Sequence, residues 1–120
     1  MLHLSLPYTR DAVENGRDQV AQFLAQNGVG TALTFQVKYC YEELAMNVVR
    51  HGNNPNPQAV VDVNVTLTAD GAQLTVTDDA QPFDPIAYDG DGLGLYSVRN
   101  MVKMMDYKYV GNQNVTTITL

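Results

Sequence analysis

Glu43, Asn47 and His51 recur at intervals of four residues, which on a helix stacks a carboxylate, an amide and an imidazole along one face. That face is offset by one residue from the apolar positions Leu44 and Val48, so the three groups border a core. An amide oxygen is a fair ligand for Mg²⁺, and a carboxylate one turn away can take the proton of an attacking hydroxyl. The same residues would equally suit an ordinary polar helix flank. A second acidic site, Asp78-Asp79, closes an apolar alternation through Leu74 and Val76. Asp78 is in phase with those residues and points inward, and Asp79 points outward. An inward carboxylate is costly without hydrogen-bond donors. The exocyclic amine of adenine could supply one, and so could nearby backbone N–H groups. Finally, Gly90, Gly92 and Gly94 precede an amphipathic stretch. Glycines before a helix let backbone N–H groups approach phosphate oxygens, though a flexible connection would look alike.

The elements that must position these groups follow from periodicity. Leu2, Leu4 and Leu6 alternate with polar residues up to Pro7, which predicts a short edge strand. Val13, Val20, Phe23 and Leu24 fit one face of a helix from Tyr8 to about Asn27, with Asn27-Gly28 as its stop and Gly16 as a weak point. A second helix runs from about Thr31 to about His51 on the stripe Leu33, Val37, Cys40, Leu44, Val48. A turn-rich loop follows from Gly52 to Pro57. Val61, Val63, Val65 and Leu67 alternate as a half-buried strand, turned at Ala69-Asp70-Gly71 into a return strand. After a loop from about Ala80 to Asp91, a third helix is expected to carry Leu95, Val98, Val102 and Met105 inward. Tyr107–Val110 and Val115–Leu120 then read as a closing hairpin around Gly111-Asn112. Strand, two helices, strand pair, helix and strand pair predict an α+β fold. It is a two-layer sandwich, with a mixed, mostly antiparallel sheet of about five strands covered on one face by three helices.

Bulk properties narrow the chemistry. The 120 residues are the size of one domain, and 45% hydrophobic with 17% charged residues is an ordinary globular composition. A net charge of -6 argues against a nucleic-acid partner. An acidic protein can still hold ATP, since Mg²⁺ and backbone N–H groups offset phosphate charge locally. The single cysteine, Cys40, excludes an internal disulfide framework and reads as a core thiol in a reducing compartment. The first residues are too few and too polar for a signal peptide. No segment nears the roughly 20 apolar residues of a membrane helix. The expectation is a cytoplasmic domain without a membrane partner.

Three segments, in this order and at these separations, resemble the nucleotide-binding boxes of the histidine-kinase-like (GHKL) ATPase domain: Glu43-Leu-Ala-Met-Asn47-Val-Val-Arg-His51-Gly52, Asp78-Asp-Ala-Gln-Pro-Phe-Asp84-Pro85, and Gly90-Asp-Gly-Leu-Gly94-Leu-Tyr-Ser-Val-Arg99. The resemblance covers nearly the whole chain and is strongest to the small bacterial anti-sigma-factor serine kinases. It implies a Bergerat-type ATP-binding fold, with Asn47 on Mg²⁺ and Glu43 as catalytic base. His51 resembles the close of the first box, and Asp78 would bind the adenine amine. Gly90, Gly92, Leu93, Gly94 and Leu95 would hold the α- and β-phosphates, with residues 80–91 as a short lid. Thr116, in phase with Ile118 and Leu120, would bond near the adenine, while Arg99 either reaches the phosphates or pairs with a surface acid. Ala80 and Pro82 stand where the commonest pattern, Asp-x-Gly-x-Gly, has its glycines. Pro82 is a feature of the anti-sigma branch. Ala80 is a departure, weakening binding if a positive φ or close approach to the base is required there. The glycine that often precedes the family's Thr is Val115 here. Such proteins bind ATP and Mg²⁺, sequester a sigma factor, phosphorylate a serine on an antagonist protein and commonly act as homodimers. Two rivals stand beside a kinase: a nucleotide-dependent binding switch without phosphoryl transfer, and a degenerate interaction module with an empty pocket.

Overall fold

A computed structural model of the chain describes residues 1–90 and 93–120. Its elements run β1 (Leu2–Pro7), α1 (Arg10–Gln26), α2 (Thr31–His51), β2 (Val60–Thr68), β3 (Gly71–Asp78), α3 (Gly94–Met101), β4 (Met104–Val110) and β5 (Gln113–Thr119). The five strands form one sheet in the order β1-β2-β3-β5-β4. Every pairing among the described residues is antiparallel. Because side chains alternate across a strand, the register lines up Leu4 with Val63, Val63 with Val76, Leu74 with Ile118 and Val76 with Thr116 on the inner face. One step further along that face, Asp78 lies opposite Asn114.

Local chemistry sets the helix ends. Thr9 caps α1, its Oγ1 accepting from the Ala12 N–H at 3.1 Å. At the other end Gly28 has a φ of +69°, and its N–H donates to the Ala25 carbonyl while the Val29 N–H donates to Leu24. That pair of bonds is a Schellman stop, which needs a left-handed residue after the helix. Gly16, the expected weak point of α1, has a packing purpose. A methyl there would overlap the hydroxyl of Tyr41, which is fully buried and donates to the Val13 carbonyl at 2.7 Å. This contact fixes α1 against α2. On α2 the buried set is Val37, Cys40, Tyr41, Leu44, Ala45 and a single polar residue, Asn47. Cys40 is a core thiol, as expected; burial, helped by the negative charge of Glu43, pushes its pKa up to about 12.

One expected element is shorter than its periodicity implied. α3 ends at Met101, and Val102 is already extended at φ -84°, ψ 152°. The Lys103 N–H donates to the Thr119 carbonyl at 2.8 Å, which starts the β4–β5 ladder at Met104. Val102 and Met105 do pack against the core, but from a connector and a strand. Met105 continues the helical spacing from Val102 and is equally in phase with Tyr107 on a strand, so the pattern alone cannot separate a further helical turn from a short strand. The cross-strand bonds available along β5 decide for the strand.

Candidate functional site

Two clefts open side by side between α2, the end of the β3–β5 pair and the segment leading to α3. The first is narrow and mostly apolar, and is lined by Asn47, His51, Asp78, Ala80, Phe83, Asn114 and Thr116 among others. The second is wider and mostly polar, and is lined by Glu43, Asn47, Arg50, His51, Gly90, Leu93, Gly94, Leu95 and Arg99 among others. Asn47 and His51 border both.

Asp78 is 6% exposed, at the inner end of β3. Its Oδ1 accepts from the Ala80 N–H at 3.0 Å and from the Asn114 amide at 3.0 Å. Oδ2 receives no donor among the described residues. Burial raises the Asp78 carboxyl above the ordinary carboxylate range, and the two donors bring it part of the way back. Asp79 faces out, as its strand phase predicts, and accepts from Asn54 at 2.6 Å. Ala80 is buried and is absent from the residues of positive φ, so its methyl imposes no left-handed strain. That removes one of the two grounds on which alanine would weaken this loop.

Asn47 is 5% exposed and Thr116 is 7% exposed, and neither side chain bonds to a described residue. No buried polar side-chain atom among the described residues is both sealed from solvent and unpaired. The Asn47 amide, the Thr116 hydroxyl and Asp78 Oδ2 are therefore open to the clefts. Unpaired polar atoms in a mostly apolar cleft are groups that a polar ligand can satisfy. His51, the last residue of α2, stacks face to face on Phe83 with ring centroids 5.0 Å apart and an angle of 8°. Tyr88 tilts against both rings, at 5.4 Å from His51 and 4.8 Å from Phe83. This trio stands between the two clefts and carries the expected lid segment.

In the wider cleft, Glu43 is half-buried and its carboxylate rests against Gly94, the first residue of α3. A Cβ at Gly94 would overlap that carboxylate, so this glycine is what lets α3 begin beside Glu43. The first N–H groups of a helix favour an anion nearby. Gly90 and Leu93 are exposed on the cleft, Leu95 is buried beneath it, and Gly92 lies outside the described residues. Arg99 lines the wider cleft and donates to the Pro85 carbonyl at 2.9 Å and the Tyr88 carbonyl at 3.3 Å, tying α3 to the lid segment. Arg50 and Asn114 were not singled out in the sequence. Asn114 shares the inward phase of Thr116, Ile118 and Leu120, a signal that could have found it. Arg50 lies three residues after Asn47, on the same side of α2.

Among the described residues no group of three or more His, Cys, Asp or Glu could hold a metal ion. A cation here would rest on Asn47 together with ligand and solvent oxygens. That donor set suits Mg²⁺, which keeps several waters and takes few protein ligands. No helix is long and apolar enough to cross a membrane among the described residues.

An antiparallel sheet covered by helices on one face, with a buried acid and amide in a cleft beside a glycine-led helix, is an arrangement with the polar groups to receive a nucleotide. Residues 6–120 match the family described as histidine kinase-like ATPase domain, and the chain belongs to that family. A comparison with curated proteins gives no match. Among solved structures, the chain is similar to the RsbU and RsbW domains of Rv1364c from Mycobacterium tuberculosis, with a TM-score of 0.75 and 22% identity. That match covers 98% of this chain and spans 31% of the mycobacterial one. It is also similar to a chain of the SiaB-SiaC complex from Pseudomonas aeruginosa, with a TM-score of 0.67 and 17% identity, covering 98% of this chain and 88% of that one. At these identities the likeness is one of fold.

Proposed function

We propose that this protein is an ATP- and Mg²⁺-dependent serine protein kinase of the anti-sigma type. In this reading it acts in the cytoplasm as a homodimer, sequesters a sigma factor, and phosphorylates a serine on an antagonist protein. The observation that carries the nucleotide site is the convergence of Asp78 Oδ2, the Asn47 amide and the Thr116 hydroxyl on one cleft without partners among the described residues. Family membership supports the wider reading, as does the likeness in fold to a chain that carries RsbU and RsbW domains.

Each residue then has a role. Asp78 Oδ2 accepts the adenine amine, Thr116 bonds at the base edge, and Ala80 shapes the loop beside it. His51, stacked on Phe83, walls the base from the phosphates. Asn47 would hold Mg²⁺, which when bound neutralises phosphate charge. Gly90, Gly92, Leu93, Gly94 and Leu95 form the phosphate cradle, with Arg50 as a cation at its rim. Glu43 takes the proton of the attacking serine hydroxyl. The serine oxygen bonds to the γ-phosphorus, the bond to the bridging oxygen breaks, and ADP leaves. Phosphoryl transfer depends chiefly on positioning and charge stabilisation, so the base supplies a further part of the rate rather than all of it.

The test measures Mg·ATP binding and phosphate transfer to candidate antagonist proteins for wild type and Glu43→Gln. The variant should keep ATP affinity and lose about 10²–10⁴-fold in transfer. Transfer at the wild-type rate would remove Glu43 as the base. A wild type that transfers nothing, yet changes its partner affinity between ATP and ADP, is a binding switch instead.

A further inference from the structure

Asn114 lines the narrow cleft but has nothing left to offer a ligand. Its Nδ2 serves Asp78 Oδ1 at 3.0 Å, the Gln81 carbonyl at 3.0 Å and the Ala80 carbonyl at 3.3 Å. Its Oδ1 accepts from the Phe83 N–H at 3.0 Å and from the Tyr107 hydroxyl. An amide has two donor hydrogens and two acceptor positions, and here all are taken. The orientation is unambiguous, since a flipped amide would set NH₂ against an N–H and its oxygen against two carbonyls. The residue is 4% exposed, on β5 directly opposite Asp78.

Asn114 thus holds three things at once: the carboxylate at the end of β3, the loop 80–83 that begins the lid, and Tyr107 on β4. We propose that Asn114 is a positioning residue for base recognition, fixing Asp78 so that Oδ2 alone faces the cleft and holding the lid's first residues in register with it. This rests on the reading of Asp78 as the adenine acceptor. Two donors on one oxygen fix the carboxylate plane, and a carboxylate that rotates freely would present its acceptor only part of the time. The same network joins the base site to the lid, because Phe83, whose N–H is held by Asn114, stacks on His51 at the boundary with the phosphate cleft. Losing the Asn114 donor also leaves burial less opposed at Asp78 and moves its carboxyl further up.

The test compares Mg·ATP, Mg·GTP and inorganic tripolyphosphate binding to wild type, Asn114→Ala and Asn114→Ser, each across a pH series. Asn114→Ala should lose about tenfold in ATP affinity, the size expected for a charge-assisted hydrogen bond. Its ATP-over-GTP preference should shrink, with tripolyphosphate affinity unchanged. The acid limb of its ATP-affinity profile should move to higher pH. Asn114→Ser keeps one donor toward Asp78 and should fall between the two. If Asn114→Ala does not fold, Asn114→Ser decides alone by a reduced preference and a raised acid midpoint. Wild-type preference and midpoint in the folded variants overturn the proposal, as does a parallel loss of ATP and tripolyphosphate affinity at an unmoved midpoint. A wild type that binds no adenine nucleotide overturns the adenine reading itself, and the Asn114 proposal with it.

Discussion

Asp78 concentrates the cost and the use of this site in one side chain. Burial raises its carboxyl, so the folded protein binds that proton more tightly than the unfolded chain does. Stability therefore falls as pH rises from the ordinary carboxylate range through the raised value, because the unfolded state binds fewer protons across that window. Below both values the penalty is absent. Asp78→Asn keeps an oxygen for the Ala80 and Asn114 donors and removes the buried charge. It should melt at a higher temperature than wild type at neutral pH, measured by thermal denaturation. It should also lose about tenfold or more in ATP affinity, since an acceptor facing the adenine amine becomes a donor. A lower melting point together with unchanged ATP affinity would mean that Asp78 serves the fold and not the base. Stability and recognition pull in opposite directions here, as they often do at functional sites.

At the scale of elements, the site depends on how closely α3 approaches α2, and Gly94 sets that distance. Gly94→Ala would drive a methyl into the Glu43 carboxylate, so either the side chain swings away or the helix start shifts. Transfer to the partner serine should fall at least about tenfold, part of the roughly 10²–10⁴-fold that a positioned base contributes. In a Glu43→Gln background the same change should add little, because neighbouring residues in one function couple rather than add. A full additional loss in that background would instead mean that Gly94 acts on the phosphates. Most of the elements were legible because their signals are strong. Alternation marked β1, β2 and β3, the stripe from Leu33 to Val48 marked α2, and the turn-rich run from Gly52 to Pro57 marked where that helix stops. The Asp78 direction followed from strand phase alone. The end of α3 was not legible, because Met105 fits the helical stripe through Val102 and also the strand alternation with Tyr107, and the bond to the Thr119 carbonyl distinguishes them. Asn114 was overlooked although its phase was readable, since its importance lies in partners 31 to 36 residues away that no local pattern shows. The bonds from Arg99 to the lid carbonyls were likewise not legible, because they join residues 11 and 14 positions apart across a loop.

Across the whole molecule, charge and cleft geometry agree. The chain is acidic, with seven Lys and Arg against thirteen Asp and Glu. Even so, Arg50 and Arg99 both line the polar cleft beside Asn47. Asn47 and His51 border that cleft and the base cleft alike, so one face of α2 spans the proposed ligand from base to phosphates. A nucleotide that binds only the folded form stabilises it by mass action. At a hundred times its dissociation constant this amounts to about 2.7 kcal/mol, which in a domain of this size raises the melting temperature by roughly 10 °C. Mg·ATP should therefore produce a clear thermal shift, and Mg·GTP a smaller one because Asp78 meets no amine at the same place. Asn47→Ala separates the metal from the base. The side chain bonds to no partner among the described residues, so the unliganded melting point should stay close to that of wild type. ATP should still stabilise the variant, but the shift should no longer grow when Mg²⁺ is added. If the variant's shift rises with Mg²⁺ as the wild type's does, Asn47 is not the ligand, and the metal must be held by the phosphates from elsewhere in the cleft.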